Sequence, residues 1–497
     1  MSPSAAPRRG ITRLAVWPVA GLPLWVAVLT VVGLALRLFR LGDAPLWVDE
    51  VQTARAIARP WGPMLSATLA QAHPPVYYAG LKAWTEIFGA TPTSLRLPGA
   101  VIGAATVPVA AAAARRLGGS GAARWAAVLV AISPFLVQHS REARQYALVA
   151  FLAAAMVLLV AREISGDGLA PTPQLVALSA LGSFTHYFFA VFVVAVCAFL
   201  AWQPARRAPR SALGLAAAIG PSLAALALAA VTATPITVPR HSFGLELVPG
   251  MVYALVNGYT LLPSSAQLYL AGQRALVPYL PVALLSLSLI VVLVAAVASR
   301  ACCLATRRIL SLAALSVALL VLGAVAARAP INPRYLAPGA PAVLISLALL
   351  LDQASGWARA AGIASVAVMM TASALLMIDP GYGHEDTANA GRWLDAHVPA
   401  DQVILVPGGD MGELASYAWP GHPVRTYPPP ALVVNGGNVD RVAAGLPFFG
   451  QDQVVYVLGR AWWTDPQGVL VKALDRRYAS CPGTTARDLP IRCYRRG

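Results

Sequence analysis

The sequence predicts a polytopic α-helical membrane protein that ends in a small α/β domain. Three observations carry this. Over 497 residues, 58% are hydrophobic and only 12% are charged, with a mean hydropathy of +0.65, which places the chain in the membrane class. Apolar runs of membrane-crossing character recur along most of its length. The basic residues behind the net charge of +16 fall in short clusters between those runs. That is the pattern of cytoplasmic loops under the positive-inside rule, so the charge reports membrane topology rather than a nucleic-acid partner.

Residues 1–12 are polar and include Arg8 and Arg9; the apolar run from Leu14 to Leu36 that follows is too long for a signal-peptide core and lacks a convincing small-residue cleavage site. It is expected to be a retained first span with its N-terminus in the cytoplasm. Residues 39–96 then form a long external loop, where the amphipathic stretches Asp49 to Ala58 and Val76 to Phe88 predict two short helices on the membrane surface. Further spans are expected near residues 97–114, 125–138, 145–161, 173–186, 188–203, 211–233, 276–299, 309–327, 336–351 and 360–378, eleven in all. The loops assigned to the cytoplasm hold Arg115, Arg116 and Arg124, then Arg162, then Arg206, Arg207 and Arg210, then Arg300, Arg307 and Arg308, then Arg359. This alternation puts the tail outside the cytoplasm.

The chain thus divides into a membrane domain, residues 1–378, and an extracytoplasmic domain, residues 379–497. The tail mixes Asp, Gly and Pro with strand-like runs such as QVILVP and QVVYVLGR and helix-like stretches near Ala388 to His397 and Pro466 to Arg477. It shows no Gly-rich phosphate loop and no catalytic-triad signature, which leaves acceptor positioning, a lid or a passive cap as its role. None of the five cysteines has metal-ligand spacing; Cys481 and Cys493, in the tail, are either a disulfide or two thiols. No internal repeat is visible.

Chemistry concentrates in the external loops. LGDAPLWVDE brings Asp49 and Glu50 to the membrane edge, where charge is costly. A first-turn carboxylate on a surface helix explains one of them; a general base explains the other. External loops should be poor in arginine, yet SLRLPGA holds Arg96, HSREARQY holds Arg141, Arg144 and Tyr146, and NPRYLAP holds Arg334 and Tyr335. Guanidinium groups there suit an anion such as phosphate, or snorkel to headgroups of membrane lipids. HPPVYY and THYFFA each set a histidine, His73 and His186, among aromatics that include Tyr187. Either histidine can orient a sugar hydroxyl or phosphate oxygen, or serve the aromatic belt alone.

The ordered series WVDE, HPPVYY, SLRLP, SREARQYAL, THYF and NPRYLAP resembles the GT-C fold glycosyltransferases, within them the bacterial branch related to protein O-mannosyltransferases and the lipid A aminoarabinose transferase. The resemblance spans residues 30–350. It implies a donor of polyprenyl phosphate linked to a sugar, and an envelope glycan, lipid or protein acceptor. It implies Asp49 as the base supported by Glu50, Arg144 with Tyr146 and Arg334 with Tyr335 as the grip on the donor phosphate, and His73 and His186 near the donor or acceptor cavity; from their places in the loops, Arg141 is expected to join the phosphate grip and Tyr187 and Arg96 to bind substrate. Relatives that use a divalent metal carry D-x-D in the first loop, whereas this chain has D-E, so neither metal nor other cofactor is expected. Arginine-for-lysine and alanine-rich usage suggests a bacterial inner membrane. A flippase for a lipid-linked saccharide is the main alternative, and a scaffold acting through the tail is a third. Both fit less well, because mid-span positions are mostly Ala, Val and Leu and the polar motifs lie on one side.

Overall fold

The computed structural model describes residues 23–165, 172–202, 212–233, 248–298, 303–326, 332–378, 384–430, 432–486 and 488–496. The N-terminal segment with Arg8 and Arg9, the start of the first expected span, Arg206, Arg207, Arg210, Arg300, Cys302 and the expected domain boundary at residue 379 lie outside these residues.

The membrane part is built from α1 (Leu24–Leu38), three loop helices α2 (Val48–Ile57), α3 (Trp61–Ala70) and α4 (Pro75–Phe88), then α5 (Pro92–Ile132), α6 (Pro134–Ser140), α7 (Tyr146–Ser165), α8 (Thr172–Ser183) and α9 (Tyr187–Trp202). It continues through α10 (Ala212–Thr232), α11 (Val248–Asn257), α12 (Ser265–Ala271), α13 (Leu280–Ala298), α14 (Leu304–Ala326), α15 (Ala340–Gln353) and α16 (Gly356–Ile378). Helices lie at the positions of all the expected spans. Among the described residues six are long and apolar enough to cross a membrane by themselves, and Leu24–Leu38, Tyr187–Trp202 and Ala340–Gln353 are shorter apolar helices. The loop holds three helices rather than the two expected. The additional helix, α3, begins at WGPM, whose proline sits in the first turn, where a missing N–H costs nothing.

The 41 residues of α5 would reach about 60 Å if straight, twice the hydrocarbon thickness. They do not run straight. Gly119 leaves helical geometry at φ 83°, ψ −162°, and the chain folds back there. The buried Arg37 of α1 proves it. Its guanidinium donates to the carbonyls of Val130 (3.2 Å) and Ala131 (3.0 Å), while a Cβ built on Gly103 would lie 2.9 Å from its Nε. Residues 103 and 131 would be about 40 Å apart on one straight helix, so the two arms stand side by side. Arg115, Arg116 and Arg124 flank the turn, at the end away from the start of α5. Small residues make this packing close: Ala110, Ala111, Ala113 and Ala114 are fully buried in the bundle core.

The tail carries α17 (Thr387–His397), β1 (Ile404–Val406), α18 (Met411–Ala418), β2 (Val424–Thr426), α19 (Val439–Ala444), β3 (Gln453–Val457), α20 (Val469–Arg477), β4 (Ala479–Ala486) and β5 (Leu489–Arg495). The sheet order is β2-β1-β3-β5-β4. β1 pairs in parallel with β2 and β3, whereas β5 is antiparallel to β3 and β4. Cys481 and Cys493 face each other in the last hairpin and form a disulfide. The tail does not stand apart from the loop helices. Leu46, Trp47, Val48, Val51 and Ile57 share one hydrophobic core with Ile404, Val406, Met411, Leu414 and Leu489, and Arg55 pairs with Glu413 across the seam at 3.3 Å.

One close approach inside the bundle is at Gly103, where an added Cβ would lie 2.0 Å from Ser140 Oγ and 2.6 Å from Ser140 Cβ. Gly103→Ala is expected to destabilise the protein by about 1–3 kcal/mol through overpacking, read as a lower thermal midpoint in detergent, whereas Gly62→Ala, with open space around it, should not.

Candidate active site

One end of the bundle gathers the loop carboxylates, the arginines of three loops and the inner edge of the tail. It begins with two neighbouring carboxylates at the start of α2. Successive helical residues point about 100° apart, so Asp49 and Glu50 serve different partners.

Glu50 is fully buried. Its Oε1 accepts from Arg96 Nε (2.8 Å) and from the Ala143 backbone N–H (2.7 Å), and its Oε2 accepts from Arg96 Nη2 (2.6 Å) and, at 3.4 Å, from the Trp47 N–H. Arg96 in turn donates to the carbonyls of Leu41, Ala44 and Pro45. All five of its N–H groups are therefore engaged within the protein. The two residues anchor the start of α2 to the start of α5, and the N–H groups of Arg96, expected near the substrate, are all taken up by these contacts. Arg141 is likewise committed elsewhere: its Nη1 donates to the carbonyls of Leu36, Arg37 and Phe39 and caps the end of α1.

Asp49 is 4% exposed and held by two guanidinium groups from distant segments. Oδ2 accepts from Arg334 Nη1 at 2.5 Å, and Oδ1 from Arg460 Nη2 at 3.0 Å. Burial alone would raise its pKa, but Arg334, Arg460 and Arg144 overcome that and hold the carboxyl well below the usual carboxylate range. Arg144 does not bond the carboxylate; its Nη1 donates to Thr53 Oγ1 (3.1 Å), Tyr78 OH (3.0 Å) and, at 3.4 Å, the Asp49 carbonyl. Its Nη2 lies 3.5 Å from His73 Nε2. The Nε–H groups of Arg144 and Arg334 are buried and have no hydrogen-bond partner among the described residues.

Aromatic rings frame these arginines. Arg334 stands over the rings of Tyr146 (5.9 Å) and Tyr335 (5.8 Å), and Tyr335 stacks on Phe188 at 4.5 Å. The two histidine motifs meet because the Val76 N–H at the start of α4 donates to the Phe184 carbonyl in the α8–α9 turn. Burial, then Arg144, lower the pKa of both His73 and His186, so both are neutral at pH 7. His186 Nδ1 accepts from the Phe188 N–H at 3.1 Å; its proton then sits on Nε2, as a donor. The structure thus brings Asp49, Arg144, Tyr146, Arg334, Tyr335, His73 and His186 together. The Tyr187 hydroxyl is buried without a hydrogen-bond partner among the described residues.

Arg460 gave no signal in the sequence. It lies 411 residues from Asp49, inside a strand-like run of ordinary composition. Its Nε bonds Glu385 at 2.8 Å, its Nη1 lies 3.8 Å from Asp410, and it stands over the Trp47 ring at 5.7 Å. A second cluster was also missed. Glu142 bonds His139 Nδ1 (3.0 Å) and His384 Nε2 (2.9 Å), and His384 stacks flat on Trp47 at 3.8 Å. Among the described residues no group of three or more His, Cys, Asp or Glu side chains could hold a metal ion.

Two outcomes follow from these charges. Arg96→Met leaves Glu50 buried and unpaired, and should cost about 3–5 kcal/mol of stability, measured by unfolding in lipid or detergent. Burial would raise the Glu142 pKa, yet His139 and His384 hold it low; burial would lower that of His384, yet Glu142 raises it. The carboxylate contribution is present above about pH 4.3 and lost as pH falls through the folded value; the His384 contribution is present below about pH 6.5 and lost as pH rises through its raised value. Amide exchange around residues 384–390, corrected for intrinsic rate, should be slowest between those limits, and Glu142→Gln should flatten the profile.

Residues 72–236 match the model of the family described as dolichyl-phosphate-mannose-protein mannosyltransferase. That range contains His73, Arg96, Arg144, Tyr146 and His186, but neither Asp49 nor Arg334. No curated protein matches the chain. The crystal structure of ArnT from Cupriavidus metallidurans in the apo state aligns at a TM-score of 0.50 and 14% identity, covering 94% of this chain and 97% of that one. ArnT bound to undecaprenyl phosphate aligns at 0.46 and 14% identity, over 94% and 98% of the two chains. The Archaeoglobus fulgidus oligosaccharyltransferase with zinc and sulfate aligns at 0.41 and 13% identity, over 87% and 67%. The first of these likenesses shows the shared fold. The chain therefore shares the fold of that ArnT structure, and its residues 72–236 are similar to the dolichyl-phosphate-mannose-protein mannosyltransferase family model.

Proposed function

We propose that this protein is a glycosyltransferase that moves a single sugar from a polyprenyl-phosphate donor to a hydroxyl of an envelope glycan, lipid or protein, with inversion at the anomeric carbon. One observation carries the reading: a buried carboxylate, Asp49, shares one pocket with two arginines, Arg144 and Arg334, whose buried Nε–H groups lack partners. Buried N–H groups without partners are costly. A phosphate oxygen supplies what they lack. The family description, in which the donor is a dolichyl phosphate sugar, supports the same chemistry.

In the proposed reaction the acceptor oxygen bonds to the anomeric carbon while the bond from that carbon to the phosphate oxygen breaks. The electron pair leaves with the phosphate, and the acceptor proton passes to Asp49. Arg144 and Arg334 stabilise the charge gathering on the departing phosphate. A base works best with a pKa near the operating pH, and Asp49 held by Arg334 falls far short of that. The donor phosphate competes for Arg334 and so frees the carboxylate. His186 offers its Nε2–H to a sugar hydroxyl or phosphate oxygen without adding charge.

We place the site on the extracytoplasmic side of a bacterial inner membrane, in a chain of eleven crossings with its N-terminus inside. The disulfide in the tail supports this side, as do Arg115, Arg116 and Arg124 at the opposite end of the α5 hairpin.

The test is release of free polyprenyl phosphate from a panel of polyprenyl-phosphate sugars by the protein in lipid, with and without crude envelope acceptor. Acceptor-dependent release from one donor is expected, with Asp49→Asn abolishing it and Arg144→Ala or Arg334→Ala each slowing it roughly 10²- to 10³-fold. Transbilayer movement of a lipid-linked sugar, without release and unaffected by Asp49→Asn, would overturn the reading.

A further inference from the structure

Arg460 is the only described residue of the C-terminal domain that bonds the Asp49 carboxylate, and its backbone is built to deliver it there. It follows β3 in a left-handed conformation, φ 48° and ψ 30°, which costs a non-glycine residue of order 1 kcal/mol and persists where surrounding structure enforces it. The enforcing contact is the preceding residue. A Cβ on Gly459 would lie 2.3 Å from Met411 and 2.6 Å from Leu489, so the chain is pressed against the starts of α18 and β5 and turns outward at Arg460.

Two guanidinium groups cannot both stay on a carboxylate that must accept a proton. Arg334 has the donor phosphate to go to. Arg460 has carboxylates of its own domain within reach, Glu385 already bonded at 2.8 Å and Asp410 at 3.8 Å. Resting on the glycosyltransferase reading above, we propose that Arg460 is a positioning residue through which the C-terminal domain holds Asp49 Oδ1 in check until an acceptor hydroxyl replaces it. On release its charge passes to Glu385 and Asp410, so no unpaired cation is left buried. The domain then acts as the element that senses the acceptor and uncovers the base, more than as a cap. Three arginines face Asp49: Arg144, Arg334 and Arg460. His73, Tyr78 and Tyr146 face it from the loop and bundle side and Asp410 from the tail, and all of these stay in place when Arg460 alone is changed.

The test needs no knowledge of the sugar. Full-length protein in lipid is treated with dicyclohexylcarbodiimide, which reacts with protonated carboxyl groups in apolar surroundings, and modification of Asp49 is read by peptide mass spectrometry across the acid range. Arg460→Gln is expected to raise the rate of Asp49 labelling at a given pH about tenfold or more, the change that one pKa unit produces, and Arg460→Lys to bring it back toward wild type. Equal labelling in wild type and Arg460→Gln overturns the proposal, as does equally raised labelling in Arg460→Gln and Arg460→Lys, which would report a displaced domain rather than a lost contact. Undecaprenyl phosphate, added in parallel, should raise labelling in the wild type by drawing Arg334 away. If it raises labelling in no variant while Arg460→Gln does, the phosphate reading fails and the Arg460 contact stands.

Discussion

The buried ion pair between Glu50 and Arg96 is the constraint on which the site depends. It joins the start of α2 to the start of α5, and through the Ala143 N–H it also ties in the loop that carries Arg144. With Glu50 pinned, helical geometry turns Asp49 a further 100° round the axis, toward Arg334 and Arg460. A dipeptide of two acids thus divides into one residue that sets the frame and one that works within it. The pair is no bonus to stability by itself, since burying two charges offsets most of their attraction. Its value lies in having few alternative arrangements.

Charge at this end of the bundle is balanced residue by residue. Arg37 and Arg141 satisfy backbone carbonyls at helix ends, Arg96 serves Glu50, and Glu142 serves two histidines. Among the described residues, the Nε–H groups of Arg144 and Arg334 beside Asp49 are buried without a hydrogen-bond partner, as are a few other buried polar atoms that include Arg37 Nε and His139 Nε2. A protein tolerates such vacancies where a ligand supplies the missing partner. The histidines nearest them are kept neutral by burial and by those same arginines, so positive charge in the pocket comes from guanidinium alone and does not titrate near pH 7.

The C-terminal domain shares a hydrophobic core with the loop helices, so it is continuous with the site it covers. Its sheet brings two sequence-distant elements to Asp49. Arg460 comes from the end of β3, and Glu385, which holds it, from just before α17. Movement of this domain would change the bonding of Asp49 without moving any membrane helix, which is an economical way to couple acceptor binding to chemistry.

Much of this was legible in the sequence, because hydrocarbon imposes a length and composition on anything that crosses it. Helices stand where the apolar runs are, and the motifs with Asp49, His73, Arg144, His186 and Arg334 meet at one end because they flank those helices on one side. Residue type alone did not separate arginines bonded to backbone carbonyls from those beside Asp49: Arg96 and Arg141 looked like Arg144, and only the tertiary contacts distinguish them. Nor did it find Arg460, His384 or Glu142, whose roles arise from contacts across hundreds of residues with no periodicity to announce them. The sequence by itself determined the class, the position of the apolar helices and the residue types available in the loops at one end of the bundle, since these follow from local solvation. Tertiary structure decided which charges face each other, since that depends on where the chain folds back at Gly119 and how the tail packs on α2.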